Sequence, residues 1–525
     1  MEDTVTDMDM DTGQNSTTVP RTRPSQLLAR VAGACNGLLL MGLASSSVMA
    51  QGWGFRPHVS LTGVYTDNVN LSPSGQEDSD LILVGTPGFS LLRETSRLKL
   101  EAVYDLQMLA FVDDSSANRV NHELDGNMNA ELQPDFLFLD ATARMTEVNV
   151  DSRAPRAVDN ITGSVNRTDV QAYSISPYIH HDMAGYATAL LRYGFEWVDT
   201  DGAVGRSESN FIDAGLNSGR RSGFLSWNLN YFKRQDDRTG TYDIDQERIT
   251  ASLAYQLHPT LSLVAEGGRE DNAFGSTEVA QNGSYWGAGA TWTPNRYLSM
   301  TAMEGDRFSS ASVSLTPSQR TSLLVSYRER DVGFNPGAVW HGRFQHTTRR
   351  SVWQLTYLED TQTTQRLLLT GPVWEIRDST GRVLERFAPP SSFSLTDELF
   401  ERKRAQGSVS YQTGKSTVAL AVYRERRDIL LGTVLGEESA HGGLAEWQWQ
   451  FSGHTQAIIK GNWERIDFRD VNREDDYWYL DMMLTRTLSR LTSASVGYRH
   501  ARNDSSLDRA EYTENRIYAT FRVEY

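Results

Sequence analysis

From residue 53 onward, apolar and polar side chains alternate with a period of two. In 186–197 the positions Ala187, Ala189, Leu191, Tyr193, Phe195 and Trp197 are apolar or small, with Thr188, Arg192 and Glu196 between them. The same alternation sets Leu225, Trp227, Leu229 and Tyr231 against Ser226, Asn228 and Asn230. It returns at Trp286–Ala288–Ala290–Trp292, at Leu323–Val325–Tyr327, at Trp353–Leu355–Tyr357, at Ala445–Trp447–Trp449–Phe451 and at Trp478–Leu480–Met482–Leu484. Successive side chains of a strand point to opposite faces, so each segment is a strand with one apolar and one wet face. No segment of similar length keeps a 3.6-residue period. The chain is expected to be all-β.

Between these strands, short connections with turn chemistry alternate with longer polar loops. The short ones include Gln133-Pro134-Asp135, His258-Pro259, Pro294-Asn295, Gly414-Lys415 and Ser452-Gly453. The longer ones, 67–79, 113–121, 149–167, 199–207, 236–243 and 469–475, are rich in Asp, Ser, Asn and Gly. Unequal connections at the two ends of every strand fit an up-and-down antiparallel barrel across a membrane, short turns on one side and loops on the other. The spacing predicts roughly 24 strands, within 20–26, and an even number places both termini on the periplasmic side. Over 297–316 the expected outer loop near Ser309 shrinks to almost nothing. Trp197, Trp292, Tyr357, Trp463 and Tyr498 are expected near strand ends, as interfacial aromatic girdles. A soluble double sandwich would expose the same bulky outward positions to water.

The last strand closes the pattern. Ile517, Ala519, Phe521, Val523 and Tyr525 alternate with polar residues to the final position. A terminal aromatic on the apolar face resembles the C-terminal targeting signal of bacterial outer-membrane proteins, so Phe521, Val523 and Tyr525 are expected to be read by the barrel-assembly machinery. At the other end, Arg21, Arg23 and Arg30 precede an apolar run at 31–44 and a Val48-Met49-Ala50 cleavage pattern. The run is shorter than the ~20 residues of a spanning helix. It reads as a signal peptide over 1–50, cut after Ala50, with the barrel over 51–525.

Composition narrows the chemistry. Mean hydropathy is −0.47, which argues against a bundle of membrane helices. The sole cysteine, Cys35, lies within the expected signal peptide, so a cleaved chain has no disulfide, thiolate metal site or cysteine nucleophile. A net charge of −16 argues against nucleic acid as a partner. His180-His181-Asp182 falls at an expected turn and is read as solvated. Asp199-Thr200-Asp201-Gly202 and Asp243-Ile244-Asp245 have weak calcium-loop spacing without completing an EF-hand. No serine-hydrolase motif is present. The expectation is a non-enzymatic protein with no catalytic residue, metal site or cofactor.

Inward positions rich in arginine carry the functional reading. Arg328, Arg330, Arg424, Arg426, Lys460, Glu464, Arg499, Arg516 and Arg522 are expected to line the lumen, where they offer weak sites to a hydrated polymer or simply pair across strands. The longest connection, 362–396, holds two short apolar-polar segments around Asp378-Ser379-Thr380-Gly381 and ends at Pro389-Pro390. It is expected to be a plug or constriction, with Trp374, Arg377, Arg382 and Phe387 as its residues, or a hairpin reaching outward.

Val64-Tyr65-Thr66-Asp67-Asn68-Val69-Asn70-Leu71, Arg349-Arg350-Ser351-Val352-Trp353, and Ser394-Leu395-Thr396-Asp397-Glu398 leading into Tyr423-Arg424-Glu425-Arg426-Arg427 resemble the PEP-CTERM-system-associated outer-membrane β-barrel family. The resemblance covers most of the chain after residue 50 through short motifs. It implies an outer-membrane barrel associated with exopolysaccharide synthesis and export, embedded in outer-membrane lipid, with polysaccharide and periplasmic export proteins as partners. It brings no defined catalytic or binding residues. A general diffusion porin for small solutes and a scaffold sheathing another envelope protein are the alternatives.

Overall fold

The computed structural model describes residues 52–274, 282–370, 393–430, 437–468 and 472–525, with the backbone of 374–377 and 383–387. The expected signal peptide at 1–50 lies outside the described residues. Twenty-four strands form one antiparallel sheet in which each pairs with its neighbours in sequence, from Trp53–Thr66 to Tyr512–Glu524. These first and last strands also pair with each other, in a register that sets Leu61 opposite Phe521 and Val59 opposite Val523. The sheet is therefore a closed barrel without edges, the form in which strands can satisfy every backbone group in lipid. Its chain enters and leaves at the same rim.

The strands run from 9 to 16 residues, most of them longer than the ~9–11 that cross hydrocarbon. The excess carries the outer ends of many strands past the apolar belt, where charged side chains face outward. Over 297–316, where the sequence is least decisive, Leu298–Asp306 and Phe308–Ser318 are joined by the single residue Arg307, in the left-handed region at φ 54°. At the opposite rim Ala184 and Gly185, φ 55° and 78°, turn the chain between Met183 and Tyr186, just after the His180-His181-Asp182 run.

The outer wall is apolar. Leu61, Leu191, Phe195, Trp286, Leu355, Trp447, Trp463 and Phe521 are all more than a third exposed. Left in water at roughly 2 kcal/mol each, these eight alone would forfeit about 16 kcal/mol, more than the ~5–15 kcal/mol net stability of a folded chain. The belt belongs in lipid, and the protein is an outer-membrane β-barrel. Aromatic residues gather toward both margins of the belt. Trp447 and Trp449 stack at 5.6 Å with Phe451 beyond them, and Tyr173 stacks on Trp197 at 5.4 Å.

Candidate functional site

Two loops from the rim opposite the termini fold into the barrel. The first is 150–166. Asn166 closes its base, its side-chain oxygen accepting from the Asp151 N–H at 2.9 Å and its amide donating to the Asp151 carbonyl at 2.7 Å. Gly163, at φ 62°, donates to the Val69 carbonyl at 3.0 Å. A Cβ there would stand 2.6 Å from Leu71 Cδ1, so glycine allows this approach to the loop after the first strand. Ala157 packs with Leu71, Tyr477 and Tyr512, and Ile161 packs against Val64, Ile82, Val84, Leu109 and Phe111.

Charges fix the loop to the wall. Arg156, buried, donates to Glu464 at 2.6 Å, lies over the Tyr477 ring, and offers its carbonyl to the Tyr512 hydroxyl at 2.5 Å. Asp159 accepts from Arg499 at 2.5 Å and from Arg516 at 2.6 Å, and Arg516 also reaches Thr162 at 2.6 Å. Burial alone would raise the Asp159 carboxyl, but the two guanidinium charges outweigh it and hold the group well below the usual carboxylate range. Arg119 donates to the carbonyls of Asn160 and Ile161. Residues 150–166 thus bind a continuous arc of strands on both sides of the seam between the last strand and the first.

The second loop starts with the helix Thr364–Thr370. It leaves the strand Ser351–Gln362 and touches the strands Arg167–Asp182 and Ala187–Asp199, which lie across the barrel in the strand order. Gln365 donates to the Gly205 carbonyl at 3.2 Å and to Asp397 at 3.0 Å. The returning segment joins the two loops. Leu395 N–H donates to the Val150 carbonyl at 2.8 Å, and the hydroxyls of Ser152 and Ser394 meet at 2.8 Å. Between the loops and the wall lies a cavity of about 960 Å³.

The described ends of 362–396 contact the strands Arg167–Asp182 and Ala187–Asp199 and the 150–166 loop. The middle of 362–396 is a hairpin, Trp374–Arg377 with Val383–Phe387, against the strand Phe400–Gln412. Of Trp374, Arg377 and Phe387 only the backbone is described, and Arg382 lies outside the described residues. Sequence reasoning missed 150–166 as an element of the lumen, because its polar composition matches that of a solvated loop. The signal available was Arg156, Asp159 and Ile161, a cation, an anion and an aliphatic residue within one loop turn.

Most expected lumen residues face inward. Arg330 pairs with Glu270 at 2.5 Å, Arg328 lines the wall beside Arg248, and Lys460 pairs with Glu446 at 3.2 Å. Glu464, Arg499 and Arg516 bind the 150–166 loop, and Arg522 lies near the terminal rim, 3.4 Å from Glu524. Arg424 and Arg426 are the correction. They share a face with Leu420 and Val422, both exposed on the outer wall, while Ala419, Ala421, Tyr423 and Glu425 point inward. Arg426 pairs with Asp428 and Glu437 at 3.0 and 3.1 Å. The run Tyr423-Arg424-Glu425-Arg426-Arg427 is charged on both faces because the strand has left the apolar belt at that height, so residue type no longer reports the facing. Phe521 is exposed on the outer wall, and Val523 shares its face.

No protein-family model matches the sequence, and no curated protein matches it. Among solved structures the chain is similar to the siderophore receptor PirA from Pseudomonas aeruginosa, at 12% identity over 91% of this chain and 81% of that one, TM-score 0.41. It is similar to the FrpB iron transporter from Neisseria meningitidis at 9% identity, covering 91% and 82%, TM-score 0.42. It is also similar to the siderophore receptor PiuA from Acinetobacter baumannii, at 7% identity over 90% and 82%, TM-score 0.44. Likeness at this level is that of one large barrel to another. The closed strand pairing remains the ground for the fold.

Proposed function

We propose that the protein is a loop-gated outer-membrane channel for the export of exopolysaccharide, of the PEP-CTERM-associated kind that its motifs resemble. The observation that supports this reading is the clamp on residues 150–166. A loop meant to close a barrel permanently could be held by apolar packing alone. Here it is held largely through ionised pairs on the lumen wall, contacts that water and a charged polymer can replace. The wall supplies no covalent chemistry in this scheme. It offers guanidinium, carboxylate and amide groups that replace a sugar chain's hydration in steps, and periplasmic export proteins deliver the chain.

A general diffusion porin is the weaker reading, because two loops linked to each other across the lumen oppose a steady open pore. The test is single-channel conductance of the refolded protein in planar bilayers, with residues 152–164 intact or replaced by a short Gly-Ser linker. Near silence that turns into conduction on replacement, with block by added acidic polysaccharide, is expected. A large steady conductance in the intact protein would favour the porin, and silence in both would sink the channel.

A further inference from the structure

The charges lining the 960 Å³ cavity do not balance locally. Toward the strands Gly337–Thr347, Phe400–Gln412 and Ser416–Ile429 its wall is basic. Arg402 is satisfied by Asp360, which it holds through two bonds of 2.9 and 2.8 Å. Arg404 and Arg427 share one carboxylate, Glu425, at 3.6 and 2.8 Å. Three further guanidiniums on this cavity, those of Arg144, Arg343 and Arg366, have no ion pair among the described residues; Arg144 has the carboxylate of Asp125 opposite it in the strand register, which leaves Arg343 and Arg366.

Their surroundings explain why. Arg343 faces inward between Leu324 and Thr356 in the strand register, with no carboxylate opposite. Arg366, on the helix that crosses the lumen, has Glu196, Asp236 and Asp360 in its electrostatic surroundings. Each of these already holds another arginine, Arg234 for Glu196 and Asp236 at 2.6 Å, and Arg402 for Asp360. Burial, and then the neighbouring Arg234 charge, lower the proton affinity of Arg366, so an unpaired cation there is held at a cost that an incoming anion would relieve. Leu367, Leu395 and Tyr423 line the same space and add apolar surface of the kind on which a sugar ring packs.

We propose that Arg343 and Arg366 form a binding site for a carboxylate-bearing saccharide, the cavity taking a short stretch of an acidic sugar chain. Planar guanidiniums pair with carboxylates through two parallel bonds, and the volume suits a ligand of a few sugar rings. The site deepens the channel reading, resting on it only for the route by which a chain arrives.

The experiment is calorimetric titration of the detergent-purified full chain with tetragalacturonate, with neutral maltotetraose and inorganic phosphate as separate titrants. Tetragalacturonate is expected to bind, and Arg343→Gln/Arg366→Gln to weaken it at least about tenfold. Arg343→Lys/Arg366→Lys, which keeps the charge but not the paired bonds, should bind more weakly than the parent and more tightly than the double Gln variant, and Arg424→Gln/Arg426→Gln on the outer wall should bind as the parent does. Folding of each variant is checked by heat-modifiable mobility on gels. Equal binding of maltotetraose, phosphate binding as tight as tetragalacturonate, or a double Gln variant that binds normally would each overturn the site. No binding by a protein whose loop-replaced form conducts overturns the site and leaves the channel. Binding by a protein silent in every loop variant supports the site and removes the channel.

Discussion

Asp159 and Arg516 lie 357 positions apart in the sequence, and their side chains meet at 2.6 Å inside the barrel. Arg499 meets the same carboxylate at 2.5 Å. One loop anion thus joins strands from the last part of the chain, and the first prediction concerns its removal. Asp159→Asn leaves two guanidiniums without their shared counter-charge. Breaking a fully buried pair costs ~3–5 kcal/mol. Asp159, 29% exposed in its side chain, should fall at or below the lower end. Brief conductance events should appear in bilayers where the parent protein is silent, with urea unfolding shifted to lower concentration. An Asp159→Asn protein as silent and as stable as the parent would refute the clamp.

Acidity should act on the clamp in one direction. The charged groups around Asp159 are Arg499, Arg516 and Arg119, with Asp481 and Glu514 behind the first two at 2.5 and 2.8 Å, and Arg167 donating to its backbone carbonyl. The folded carboxyl lies below its unfolded value of ~3.9, so its stabilising contribution is complete above that value and is lost only as pH falls through the depressed folded value. Conductance should therefore be flat between about pH 5 and 8, and opening through this group should appear only under strongly acidic conditions. Opening centred near pH 6 would assign the gate to another group.

The two inward loops can be locked together. Ser152 and Ser394 hydroxyls are 2.8 Å apart, and the chain after residue 50 contains no cysteine. Placed in the Asp159→Asn chain, Ser152→Cys/Ser394→Cys should cross-link on oxidation and suppress the openings of that variant, which return with reductant. The readout is a gel-mobility shift with paired bilayer recordings.

Arg424 and Arg499 provide a contrast between the outer and inner walls. Arg424→Gln should leave conductance and its salt dependence unchanged, since the side chain faces outward with Leu420 and Val422. Arg499→Gln removes contacts to Asp159 and Asp481 and should raise the frequency of opening severalfold.

Closure of the barrel depends on its seam. Leu61 faces lipid opposite Phe521, near the middle of the first strand. Leu61→Arg should destabilise the barrel by ~2–4 kcal/mol, seen as a lower yield of the heat-modifiable folded band.

The class of fold follows from alternation along the chain alone. A period of two fixes which residues share a face, and outward positions such as Leu191, Trp286, Trp447 and Phe521 must be apolar because hydrocarbon surrounds them. That constraint is local and repeats strand after strand, so the strand number and the common rim of the termini could be read in advance. It weakens where the strands leave the belt. There both faces are wet, so Arg424 and Arg426 resemble the lumen residues Arg499 and Arg516 by type, and only the pairing register separates them. The route of 150–166 across the lumen was decided by tertiary structure alone. Its partners Glu464, Tyr477, Arg499, Tyr512 and Arg516 come from strands hundreds of residues later, brought within reach only when the last strand pairs with the first.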